Sequence, residues 1–161
     1  MSVQIVVEQL GALIEEHRLL LDMSERKTQV LKKNDAEALQ QLVRDERRQV
    51  QRITRIERER HQQAAALAGS NPEDAVSIDA LKLLADDKER ARLEALQYEL
   101  IQLMTALQHQ EELNRAILED AMKYTQVMLG AMQPQESAQY GRQGLAPQRT
   151  KREYSVFDSR A

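Results

Sequence analysis

From Val3 to Met132 apolar residues recur every three or four positions, with breaks only at Asn34-Asp35 and around Gly69 to Ser77, and beyond Met132 the pattern stops. That spacing keeps apolar side chains on one face of a helix at 3.6 residues per turn, so the chain is confined to amphipathic helices followed by a polar tail. The first stripe runs through Val6, Leu10, Leu13, His17, Leu20, Ser24, Lys27 and Leu31, widened by Leu21 and Val30. Asn34 and Asp35 suit a break and an N-cap, which predicts a hairpin turn. The second stripe follows Leu39, Val43, Glu46, Val50, Ile53, Glu57, Arg60, Ala64 and Leu67, and the breaker cluster Gly69-Ser70-Asn71-Pro72 ends it. Ser77 then opens a short helix through Ile78, Leu81 and Leu84, and Asp86-Asp87 caps a long one whose stripe runs from Leu93 to Met128.

The expected class is therefore all-α: an elongated antiparallel helical hairpin plus a long third helix, of three-helix-bundle or coiled-coil character. One short helix links them. Residues 1–132 form the expected helical bundle domain and residues 133–161 a flexible C-terminal tail. Pro134, Gly141, Gly144 and Pro147 interrupt a polar stretch there, too poor in apolar surface to offset its ordering entropy, so disorder in the unbound chain is expected. At 1.5 Å per residue the first two helices span roughly 45 to 50 Å and the last about 67 Å. Unless the last helix bends or another chain covers it, one end presents apolar side chains to water. Met122, Met128 and Met132 gather there beside Tyr124, Val127 and Leu129. Methionine adapts to irregular partners, although ordinary core filling accounts for such a cluster equally well.

Composition narrows the chemistry. Aromatic content of 3% leaves an aliphatic core, and the absence of cysteine removes thiolate nucleophiles, disulfides and cysteine metal sites. No apolar run approaches a membrane span and the N-terminus shows no basic region leading into an apolar one, so a cytoplasmic protein without membrane insertion is expected. His17, His61 and His109 put no two ligands on one helical face, so neither metal nor cofactor is expected. No phosphate-cradling glycine loop or nucleophile elbow occurs, and no catalytic residue or enzymatic activity is expected.

Polar residues inside the stripes need partners if buried. Folding the hairpin about Asn34 sets Lys27 opposite Val43 to Glu46 and Ser24 opposite Glu46. Glu57 and Arg60 share a face three residues apart, with Gln110 or Asn114 of the long helix as prospective neighbours. Fixing helix register is the ordinary role of this seam of Lys27, Glu46, Glu57, Arg60 and Asn114. Between Arg44 and Arg60 stand seven arginines against four acids. A solvated face is the favoured reading and no nucleic acid partner is expected, since no aromatics interleave and residues 1–132 carry a net charge of -5, from 18 basic and 23 acidic residues.

Several stretches together resemble one family. Lys27-Thr28-Gln29-Val30-Leu31-Lys32-Lys33-Asn34-Asp35-Ala36-Glu37-Ala38-Leu39, then Glu46, Ile56-Glu57-Arg58-Glu59-Arg60, and Glu112-Leu113-Asn114-Arg115-Ala116-Ile117-Leu118 with Tyr124 resemble the FlgN flagellar export chaperones, over most of residues 15 to 132. Tyr140 to Gly144 and Ser155 to Ala161 resemble the ends of Gram-positive members. The resemblance implies a cytosolic type III secretion chaperone that binds the hook-filament junction proteins FlgK and FlgL, through their C-terminal amphipathic helices, and delivers them to the flagellar export gate. It also associates the last helix and the tail with partner binding. The expected partner-binding residues are then Leu118, Met122, Tyr124, Met128, Leu129 and Met132 on the helix and Tyr140, Tyr154 and Phe157, with Val156, on the tail. Two rival readings are a structural adaptor or self-assembling coiled coil, in which a homodimer covers the third helix, and a regulator that binds nucleic acid through the arginine stretch.

Overall fold

The computed structural model describes residues 2–133, which form four helices and, among the described residues, no strand: α1 (Val3–Lys32), α2 (Ala36–Ala68), α3 (Ile78–Leu84) and α4 (Asp87–Met132). The protein is an all-α helical bundle. Several boundaries have a local cause. Asn34 takes a left-handed φ of 53°, and the Asp35 side chain accepts a hydrogen bond from the Ala38 amide, capping α2. Gly69 ends α2 at φ 66°, a conformation that glycine adopts without a steric penalty, while Ser70 N–H reaches back to the Ala65 carbonyl at 2.9 Å. Ser77 caps α3 through the Ala80 amide. Asp86 and Glu89 cap α4 reciprocally, each carboxylate accepting from the other's amide, at 2.7 and 3.2 Å.

The chain divides into two compact units, the first Met1–Tyr124 and the second beginning at Thr125, inside α4. In the first, α1 and α2 form an antiparallel hairpin with close backbone packing, and α3 packs on α2. The α4 backbone stands further off than helices in direct ridge-to-groove contact and meets its neighbours through long side chains. It runs parallel to α1: Leu13 shares a cavity wall with Leu100, Ser24 bonds Glu111, and Leu31 lines a cavity with Leu118.

The aliphatic core sits at one end of this unit. Val3, Val6, Val7, Leu10 and Leu13 of α1 meet Ala64 and Ala65 of α2, Val76, Leu81 of α3, Ala85, and Leu93 of α4, with Leu96 and Leu100 packed against them. The small Ala64 and Ala65 side chains allow the close approach of α1 and α2. Arg90 fixes the start of α4 by donating to the carbonyls of Lys82 and Ala85, and Lys82 donates to Gln97 at 2.8 Å. In the second unit, described residues 125–133 are helical to Met132. The expected tail, from residue 134, lies outside the described residues.

Burial grades the cost of truncation. Leu10 is fully enclosed and Leu118 is 42% exposed. Leu10→Ala should lower unfolding free energy by about 2–5 kcal/mol, with a much smaller loss for Leu118→Ala, as measured by urea denaturation at neutral pH.

Candidate functional site

Beyond Leu100 the contact between α4 and the hairpin becomes polar. Lys27 of α1, on a side chain only 13% exposed, donates from Nζ to Glu46 of α2 at 2.9 Å and to both oxygens of Glu111 of α4 at 3.0 Å. One ammonium thus joins three helices. Ser24 Oγ donates to Glu111 at 2.6 Å. Asn114, 3% exposed, donates from Nδ2 to the Ser24 carbonyl at 2.8 Å and to Ser24 Oγ at 3.1 Å, and its Oδ1 accepts from Thr28 at 2.5 Å. Gln110 donates to the Thr28 hydroxyl. The network gives partners to most of the polar groups it buries, Glu46 Oε1 being left without one.

Glu57 and Arg60 lie elsewhere. Arg60 Nε and Nη2 donate to the two oxygens of Glu57 at 2.9 and 2.5 Å, and His61 Nε2 stands 3.3 Å from Glu57 Oε1. They do not meet Gln110 or Asn114, because Glu57 is level with Leu100 and Met104, and Asn114 lies ten residues, or about 15 Å, further along α4. Ser24 likewise bonds α4 and not Glu46. Sequence reasoning missed Glu111, the second carboxylate on Lys27, and Gln49, which donates to the Glu16 carbonyl at 2.8 Å. The polar break that Gln110 makes in the α4 stripe was the available signal for the first.

The apolar side of α4 is poorly covered. Within its 46 residues only Leu93 and Asn114 are buried. In the first unit Ile101 and Met104 are 52% and 53% exposed and line, with His17, Leu107 and Glu111, an open cavity of about 430 Å³. Further along, Leu118, Met122 and Tyr124 are 42%, 55% and 67% exposed, and Leu118 also borders a cavity beside Leu31, Asn34, Leu39 and Ala121 at the hairpin turn. In the second unit Met128, Leu129 and Met132 are 44%, 59% and 75% exposed. Tyr140, Tyr154, Val156 and Phe157 lie outside the described residues. Among the described residues no three His, Cys, Asp or Glu side chains gather as a metal site, and no helix is long and apolar enough to cross a membrane.

A helical bundle whose longest helix presents leucine, methionine and tyrosine to solvent belongs to the class of scaffolds that hold other polypeptides. The family model described as FlgN protein matches residues 1–148, and the chain belongs to the FlgN family. FlgN proteins are chaperones of flagellar export, not a family of enzymes. The chain is 29% identical to the uncharacterized protein YvyG of Bacillus subtilis (strain 168) over 162 residues that cover 100% of both chains. No solved structure matches it.

The polar joint sets a pH dependence. Burial pushes the Glu111 carboxyl up, but hydrogen bonds from Ser24 and Lys27 and the attraction of Lys27 and Arg115 outweigh it and hold the group below its ordinary 4.5. Glu57 is also held below 4.5, by the Arg60 hydrogen bond and charge acting against burial. For Lys27 burial pushes down, whereas the hydrogen bonds and charges of Glu46 and Glu111 raise it above 10.5. The carboxylates therefore stabilise the fold fully above pH 4.5 and lose that contribution as pH falls through their lower folded values. Lys27 contributes fully below 10.5 and loses it only above its raised value. Glu111→Gln should flatten the acid side of the stability curve, read as urea midpoints from neutral pH to well below 4.5; unchanged steepness would remove Glu111 from this role.

Proposed function

We propose that this chaperone captures the hook-filament junction proteins FlgK and FlgL and delivers them to the flagellar export gate. Membership of the FlgN family supports the setting, and the single observation that carries the reading is the exposure of leucine, methionine and tyrosine along α4. An amphipathic helix of a secretion client, unpaired before assembly, would lay its apolar face on Leu118, Met122, Met128, Leu129 and Met132, with Tyr124 as an anchor whose hydroxyl stays wet. Methionine suits such a surface because its unbranched side chain repacks around different partners. Binding would cover client surface that otherwise aggregates, and no catalytic group takes part.

The same apolar surface admits a second reading, in which another copy of the chain covers α4 and the protein is a structural adaptor. Light scattering separates the two. A monomer that forms a stoichiometric complex with FlgK or FlgL supports the chaperone, whereas a stable dimer without affinity for either supports the adaptor. Tyr140, Tyr154 and Phe157, with Val156, stand isolated in an otherwise mostly polar tail and are proposed as a linear motif for the export gate.

Two results are expected. Met128→Asp combined with Met132→Asp should abolish capture of FlgK and FlgL in a pull-down while helicity by circular dichroism stays near that of the parent chain; undiminished capture removes the α4 assignment. Deleting residues 134–161 should reduce secretion of the client more than its affinity for the chaperone. Equal secretion by the shortened chain would dismiss the tail motif.

A further inference from the structure

The outer face of α2 carries a charge pattern that client capture on α4 leaves unused. Of the seven arginines between Arg44 and Arg60, Arg60 is buried on Glu57; of the four acids, Glu46 is buried on Lys27 and Glu57 holds Arg60. Arg44, Arg47, Arg48, Arg52, Arg55 and Arg58 are all exposed, with only Asp45 and Glu59 left to oppose them. At 100° per residue the six fall within an arc of about 140°, and Arg44 to Arg58 spans about 21 Å of helix. Arg48 lies 3.7 Å from Asp45, and among the described residues none of the other five is paired.

A face that serves solubility alone mixes its signs, as exposed pairs elsewhere do: Arg18 with Glu15 and Arg26 with Asp22 on α1, and Arg90 with Asp87 on α4. The α2 stripe does the reverse. Arg44 and Arg48, then Arg48 and Arg52, stand four apart, and Arg52, Arg55 and Arg58 follow at threes, so like charges repel along the helix. An anionic partner relieves that repulsion.

We propose that this face docks an acidic protein helix carrying aspartate or glutamate at three-and-four spacing along one side. Every cation in the row is arginine, whose planar fork grips a carboxylate through two hydrogen bonds, where lysine offers a point charge. Val43 and Val50, 40% and 47% exposed, lie beside Arg47 on the helix surface, and arginine next to apolar area is the composition of protein interfaces. The row contains no aromatic to stack on bases and no large apolar wedge to enter a lipid surface. Its straight course along one helix matches a second helix of similar length. This face is separate from the α4 surface, so the two readings stand or fall independently.

The test uses the full chain and four probes: a blocked helical peptide with glutamates on one face, an isomer of the same composition with glutamates spread around the helix, phosphatidylglycerol–phosphatidylcholine vesicles, and duplex DNA. The one-faced peptide should bind best at low ionic strength and weaken as salt screens the charges. Arg48→Glu, Arg52→Glu and Arg55→Glu together should weaken it by about tenfold or more. Should that variant unfold, the triple substitution of the same residues by glutamine, which removes repulsion and should melt no lower than the parent chain, must show the same direction of loss. Equal affinity of the glutamine variant, equal binding of the isomer, or tighter binding to vesicles or DNA would overturn the proposal.

Discussion

The ammonium of Lys27 joins the α1–α2 hairpin to the middle of α4. It reaches Glu46 on α2 and Glu111 on α4 at once, at 2.9 and 3.0 Å, which is feasible in only one register of the three helices. A buried cation without partners is strongly destabilising, whereas the same cation between two carboxylates, with Ser24 also donating to Glu111 and Asn114 bonding Ser24 and Thr28, stabilises one alignment against slippage. The apolar residues cannot do this here. The cluster built on Leu10, Leu81 and Leu93 extends along α4 only to Leu100, and a leucine stripe in a long helix tolerates displacement by a turn more readily than a set of directional bonds does.

Two kinds of adhesion along one helix have a consequence for α4. Near its start it is held by buried aliphatic area, by Arg90 on the carbonyls that end α3, and by Lys82 on Gln97. Further along the first unit, hydrogen bonds and one ammonium hold it at a distance, with cavities lined by Met104, Leu107 and Leu118. Polar side chains long enough to bridge that gap leave the flanking apolar groups half-covered. On the proposed function, partial cover of this kind would suit a segment that is held and then released, since a fully desolvated interface would release it slowly.

Much of the fold can be read from the chain because its signals are local. Asn34 and Asp35, Gly69, Ser77 and Asp86 mark helix ends through the φ values and side-chain acceptors that ends require, and each acts within four residues of itself. The nearness of Lys27 and Glu46 also follows locally, from folding two helices about a single tight turn. The partners of Glu57 and Asn114 do not. The long connection from Gly69 through α3 to Asp86 leaves the height of α4 against α1 undetermined, so Asn114 sits about three turns away from Glu57 and bonds Ser24 instead. Glu111 stayed hidden for the same reason.

The residue pattern alone therefore determined the helical make-up of residues 3–132, the breaks between the helices and the kinship with FlgN chaperones, since periodicity, capping and ordered short motifs are properties of neighbours in sequence. Only the tertiary structure decided that Glu111 shares Lys27 with Glu46, that α4 stands off from the hairpin, and which arginines of α2 are left facing solvent. Those depend on the sliding and spacing of helices past one another, and a 3.6-residue repeat fits equally well after a shift of one or two turns until buried polar groups select a single register.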